Sequence, residues 1–270
     1  MRKAFFLILT LIVLLTGGCK PEQKETFEKK TASATISKSG TKIKNMDVCE
    51  EAFKTKNIDK NKLLNTPPSK RKKLFISLIT PAALRANCII EKEREKFLKI
   101  KKKIEEEKPL KEKEKYFLKK LKKVYETDNL NELYYRVNIL PPSIVIAQAA
   151  IESGWGTSRF FLEGNNLFGI WTFSNSTAHI KAKNSAARVK KYPSSLYSIE
   201  DYYHNINTGW AYKELRKERL KTKDPLILAN YLKNYSILRE EYVRRIKRVI
   251  TKNNLQRFDK CSFNNCSIDL

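Results

Sequence analysis

Between Pro141 and Gly156 the chain reads PPSIVIAQAAIESGWG, and this run restricts the fold more than any other. From Ile144 to Ile151 every residue but Gln148 is apolar, so a helix there has no wet face and must lie inside a core. Pro141 and Pro142 suit its first turn, where a missing backbone donor would be unpaired anyway. Gly154 and Gly156 end the helix and let a ligand approach the backbone closely. Glu152 closes the run, and a carboxylate there is costly unless it is paired, hydrogen-bonded or protonated. Gln148, one turn earlier on the same face, is a candidate partner. Two readings stand at this point: a buried glutamate that caps a neighbouring element, or a functional acid.

The remaining patterning is also helical. Glycines (8) and prolines (9) are few among 270 residues and 31% are charged, which favours helices over a sandwich or barrel. Phe75, Ile76, Leu78 and Ile79 begin an apolar stripe near Pro81, which Phe97, Ile100 and Ile104 continue; beyond Pro109 it resumes with Phe117, Leu121 and Val124. These make a basic helical hairpin over 70–127, whose lysines form its wet faces or meet a membrane or wall surface. Helical spacing returns at Leu130–Val137, Leu196–Ile206, Ala211–Leu220, Pro225–Leu232 and Tyr242–Ile250. Between Thr172 and Ser195, HIKAK and ARVKKY alternate and could form a small β-hairpin. The expected division is a signal peptide at 1–18, a polar tether at 19–69, the hairpin at 70–127, a mainly α domain at 128–258 and a cysteine-containing tail at 259–270.

Arg2 and Lys3 precede an apolar run from Ala4 to Leu15, too short for the roughly 20 residues of a spanning helix, so it reads as an export signal. It ends in LLTGGC, which resembles a bacterial lipobox with Cys19 as the acylated residue, although Thr16 stands where leucine is usual. An ordinary secretory cleavage beside a fortuitous cysteine is the other reading. The net charge is +26, or +24 without residues 1–18, which draws the chain to anionic polymers or lipid headgroups; export argues against nucleic acid. Cys49, Cys88, Cys261 and Cys266 then allow up to two disulfides, with three pairings open. His179 and His204 are the only histidines and there is no HExxH, so neither a metal nor a cofactor is expected.

At PPSIVIAQAAIESGWGTSRF followed by GNNLFGIWTF the chain resembles the Bax-like glucosaminidases, related to the flagellar-rod-type peptidoglycan hydrolases of glycoside hydrolase family 73. The likeness continues through VKKYPSSLYSIEDYYHNINTGWAYKELRKERL and LKNYSILREEYVRRIKRVI, and upstream through KKLFISLITPAALRANCIIEKERE, covering roughly 71–255. It implies a lysozyme-like helical fold that cleaves the β-1,4 bond after N-acetylglucosamine in peptidoglycan. By this resemblance Glu152 is the catalytic acid and Tyr235 holds a water or the acetamido group beside the reacting sugar.

Some members of that family carry a second glutamate in the lobe, whereas residues 172–199 here contain no Asp or Glu. Glu163, Glu200 and Asp201 are the substitutes within reach of the sequence; Glu200 and Asp201 also suit a helix start. The alternative is substrate assistance, or a water held without a second carboxylate. Phe168, Trp171 and Tyr202 are expected to line the groove with Trp155 nearby, while Gln148, Asn165 and Asn166 supply amide contacts; Trp155 and Phe168 equally suit core packing. Arg188, Lys190 and Lys191 could meet stem-peptide carboxylates or be ordinary surface charge. The expectation is a lipid-anchored peptidoglycan glucosaminidase. A lytic transglycosylase and a non-catalytic wall-binding scaffold are its competitors.

Overall fold

The structure is a computed structural model that describes residues 48, 49, 52, 59–174, 176–181 and 187–262. The expected signal peptide, Cys19 and Cys266 lie outside the described residues.

Helix α1, Pro68–Glu105, is the long axis of the molecule. At 1.5 Å per residue its 38 residues reach about 57 Å. One 18-residue window is apolar enough to match a membrane span in composition, yet Phe75, Ile79 and Ala83 have no exposed surface, as in a core helix. Pro81 lies inside α1, and one residue before it the Thr80 hydroxyl donates to Ile76 O (2.7 Å). The first half of α1 joins the main core. Its second half, with Phe97 and Ile100, packs against Phe117, Leu118 and Leu121 of α2 (Glu112–Val124) and Leu133 of α3 (Leu130–Arg136) in a separate small cluster. The expected pair of helices in this region is present, but α1 is far the longer and serves both cores.

Helix α4, Pro142–Glu152, runs through the main core, with Ile144, Val145, Ile146, Ala147, Ala149 and Ala150 wholly buried. It is followed by α5 (Arg159–Gly164) and three short strands, β1 (Trp171–Thr172), β2 (His179–Lys181) and β3 (Arg188–Lys190). The sheet is antiparallel in the order β1-β3-β2, with Ile180 and Trp171 both opposite Val189. The expected hairpin is therefore the β2–β3 pair, widened by β1. Helices α6 (Ser195–Thr208), α7 (Lys213–Glu218), α8 (Pro225–Leu228) and α9 (Arg239–Lys252) complete the body. Two 3₁₀ turns, Trp210–Tyr212 and Ala229–Tyr235, interrupt stretches whose spacing suggested continuous helix. The mainly helical class with a small β lobe is the one anticipated.

Segments at both ends are tied to this body. Cys49 and Cys261 form a disulfide across 212 residues, so Cys261 does not close the CSFNNC loop with its near neighbour; Cys88 is disulfide-bonded as well. Lys60 Nζ donates to Leu162 O (3.0 Å) and Asn165 Oδ1 (2.6 Å), setting a cation at the C-terminal end of α5. At the start of α4, where Pro141 offers no capping side chain, Asp259 supplies one: Ser143 N and Oγ donate to its carboxylate, each at 2.8 Å. Asp259→Ala should lower stability by about 1–2 kcal/mol, the usual loss for a helix cap or a buried hydrogen bond, in urea unfolding followed by circular dichroism.

Candidate active site

The all-apolar sequence of α4 delivers Glu152 to the edge of the core, and the turn after it keeps it there. Ser153 N donates to Ala149 O (3.0 Å) and Trp155 N to Ala150 O (2.8 Å), while the Ser153 hydroxyl accepts from Gly156 N (3.0 Å). Gly154, Trp155 and Gly156 all have positive φ (58°, 59° and 81°). At Gly156 a Cβ would lie 2.7 Å from Leu63 Cδ1 and 2.9 Å from Phe75 Cδ2, so only glycine fits. Trp155 packs on the core, edge-on to Phe75 (5.9 Å between centroids), with Lys72 Nζ 5.2 Å from its ring centre.

Glu152 is half-buried, so its carboxyl is both withdrawn from water and open to a ligand. Burial pushes its pKa up to about 7, against a smaller opposing effect of the Tyr242 hydrogen bond. The bonds around it run in one direction. Tyr202 Oη donates to Gln148 Oε1 (2.6 Å), Gln148 Nε2 donates to Tyr242 Oη (2.9 Å), and Tyr242 Oη donates to Glu152 Oε1 (2.7 Å). Because the Gln148 amide occupies a lone pair of Tyr242, the single phenolic proton goes to Glu152. With Oε1 accepting, the proton of the neutral carboxyl belongs on Oε2.

Aromatic rings frame this chain. Phe168 stacks on Tyr202 (4.3 Å), Tyr202 meets Tyr235 (6.1 Å), and Tyr235 lies parallel to Tyr242 (5.7 Å, 5°). Tyr212 adds a fourth phenol, 6.3 Å from Tyr235. Burial raises all four tyrosine hydroxyls, and the charge of Glu152 contributes at each, which gathers them about the carboxyl. Tyr235 is only 2% exposed.

The expected residues thus separate into two sets. Glu152 and Tyr235 come together. Gln148, Tyr202 and Phe168 are near them but fully buried, so they support the site from behind rather than line a groove. Asn165 and Asn166 are corrected more sharply. Asn165, itself left-handed (φ 51°), donates to Tyr192 O (2.9 Å) and Pro193 O (3.1 Å) and accepts from Lys60. Asn166, 1% exposed, donates to Ile170 O (3.0 Å) and Lys190 O (2.8 Å) and accepts from Phe168 N and Ile170 N. Their amides brace the turn into the lobe and are not free for a sugar. Trp171 is half-buried on β1.

None of the substitute carboxylates is coupled to Glu152. Glu163 is exposed and pairs with Arg159 (3.2 Å). Asp201 accepts from Lys190 Nζ and Tyr192 Oη, both at 2.6 Å, which also takes Lys190 away from any ligand. The charge of Glu200 is felt at Glu93 of α1. Among the described residues no group of three or more histidine, cysteine or acidic side chains could hold a metal ion.

Tyr242 and Tyr212 were not identified from sequence. Tyr242 shares the apolar face of α9 with Val243, Ile246 and Ile250 and reads as core; only the packing of α9 on α4 shows where its hydroxyl points.

Residues 127–255 match the model of the Glucosaminidase family, described as mannosyl-glycoprotein endo-β-N-acetylglucosaminidase. The chain is 36% identical over 122 residues to Protein bax of Escherichia coli, 42% of each chain. It is also 28% identical over 156 residues to the exo-glucosaminidase LytG of Bacillus subtilis, covering 51% of this chain and 52% of that one. The chain thus spans about half the length of these relatives or less. The catalytic domain of the autolysin Auto from Listeria monocytogenes overlaps 84% of this chain and 100% of its own, at 20% identity with a TM-score of 0.43, too loose an overlap to bear on function.

Tyr242→Phe removes the one donor that favours the Glu152 carboxylate, so the Glu152 pKa should move higher still. A ¹³C carboxyl titration by NMR reads this directly; an unmoved or lowered midpoint would contradict the geometry.

Proposed function

We propose that the chain is a peptidoglycan hydrolase that cleaves the β-1,4 bond between N-acetylglucosamine and N-acetylmuramic acid, with Glu152 as general acid. The observation that carries this is a half-buried carboxyl with a pKa of about 7, fixed by a directed hydrogen-bond chain within the region that matches the Glucosaminidase family model. A general acid must hold its proton near working pH and release it to the leaving oxygen, and Oε2 would be the atom that does so. The Tyr235 hydroxyl would hold the attacking water or the acetamido oxygen. With no second carboxylate coupled to Glu152, substrate assistance or a water held by neutral groups fits better than a carboxylate pair.

Residues 128–258 would be the catalytic unit, buttressed by the hairpin of 70–127. The Cys49–Cys261 disulfide suits an oxidising compartment, in keeping with export and with work on the cell wall. A lipid anchor at Cys19, behind a tether that reaches the body by Cys49 and so is shorter than the expected 19–69, would then hold the enzyme at a membrane facing the wall. The single carboxylate keeps a lytic transglycosylase as the second reading.

Purified sacculi digested with the chain should yield reducing N-acetylglucosamine ends in mass spectrometry, and Glu152→Gln should release muropeptides about 100- to 10,000-fold more slowly. Anhydro-muramic ends would establish the transglycosylase, and binding without release a scaffold. Full activity of Glu152→Gln would remove the mechanism.

The raised pKa also fixes two pH trends. Activity should fall as pH rises through about 7, where the acid loses its proton. The folded state binds this proton more tightly than the unfolded one, whose value is near 4.5, so stability is lost as pH climbs from about 4.5 to about 7. Glu152→Gln abolishes that loss, and thermal melts should show the variant gaining on the parent at pH 8 but not at pH 4.

A further inference from the structure

The carboxyl pocket leaves Trp210 unexplained. Its side chain is 85% exposed, more than any other large hydrophobic residue described. A lone exposed residue is ordinary, but the turn that presents this one is built with care. Arg216, 2% exposed, donates from Nη1 to Ile206 O (3.1 Å) and Gly209 O (2.7 Å), locking the corner between α6 and the turn Trp210–Tyr212. Gly209 N donates to Asn205 O (2.8 Å) and Tyr212 N to Gly209 O (3.2 Å). A Cβ on Gly209 would lie 2.6 Å from Asn205 O, so residue 209 has to be glycine. Arg216 also pairs with Glu132 of α3 (3.5 Å), which offsets part of the cost of burying its guanidinium, though burial still lowers its pKa.

The same turn faces the carboxyl pocket. Two residues after the exposed indole, Tyr212 is 5% exposed and its ring is 6.3 Å from Tyr235. The turn itself packs on the Ala229–Tyr235 turn that carries Tyr235. One three-residue turn therefore sends Tyr212 towards Glu152 and, two residues earlier, Trp210 into solvent.

We propose that Trp210 is a sugar-stacking platform: its indole packs against the pyranose ring of an N-acetylhexosamine in the glycan strand bound across Glu152. This rests on the glucosaminidase reading and adds a subsite to it. The apolar C–H face of a pyranose suits an indole, which has only two side-chain torsions to fix and is already held in place. The site is sequence-neutral along the strand, because every residue of such a glycan offers a similar face.

The test uses the full chain carrying Glu152→Gln, which holds an uncleaved ligand, and N-acetylglucosamine hexamer as the probe in isothermal titration calorimetry. Adding Trp210→Ala should weaken binding about tenfold, roughly 1.4 kcal/mol, and Trp210→Phe less than threefold. In the chain with Glu152 intact, Trp210→Ala should raise KM on sacculi more than it lowers kcat. Equal hexamer affinity with and without the indole overturns the proposal, as does failure of the Glu152→Gln chain to bind hexamer at all. Retained hydrolysis by Glu152→Gln would instead sink the catalytic assignment, while the affinity comparison still decides Trp210. The residue is a surface one, so unchanged circular dichroism is expected in both Trp210 variants.

Discussion

The withdrawal of Glu152 from water into a ring of tyrosines is the constraint on which the rest of the structure turns. Burial alone would favour a neutral carboxyl that could rotate or be lost to a random partner. The chain Tyr202–Gln148–Tyr242 prevents this by offering one donor to one oxygen, so the protonated acid has a defined orientation. Each member needs the others: the Gln148 amide is wholly buried and would be left unsatisfied without the two phenols. An apolar core would hold α4 at lower cost than this polar network, which is in keeping with the proposed role of Glu152.

Much of the remaining architecture keeps α4 in place. Its first turn is capped from the far end of the chain by Asp259, its last turn is closed by Gly154 to Gly156, and α1 and α9 pack along its sides. The Cys49–Cys261 disulfide joins the two flanks of this arrangement and shortens the reach of the unfolded chain, a constraint typically worth about 2–4 kcal/mol. The second cluster, built on the distal half of α1 and on α2, lies apart from the site and carries most of the dense lysine sequence. Some of its lysines are paired locally, as in Lys103–Glu114 and Lys115–Glu112, but thirteen lysines stand against five glutamates over 96–124, so this surface stays strongly basic.

The readings that succeeded and failed differ in kind. Apolar periodicity located α1, α4, α6 and α9 and the alternation in HIKAK and ARVKKY marked the β2–β3 pair, because those signals are local. The two 3₁₀ turns were read as helix, since nothing local distinguishes a strained turn from a short amphipathic helix. Asn165 and Asn166 were assigned to a ligand because amides suit sugars; the backbone carbonyls that engage them belong to residues up to 28 positions away. Tyr242 was passed over for the opposite reason. Its neighbours made it look like core, and its hydroxyl meets Glu152 across 90 residues.

By itself the sequence determined that α4 must be buried, that Glu152 must end it, and that the lobe would contribute no acid, because these follow from composition and spacing along one segment. Only the tertiary structure decided which groups surround that acid. Hydrogen-bond direction, ring stacking and the depth of burial depend on α4, α6 and α9 meeting in space, and these set the carboxyl near neutrality with Tyr242 as its hydrogen-bond donor.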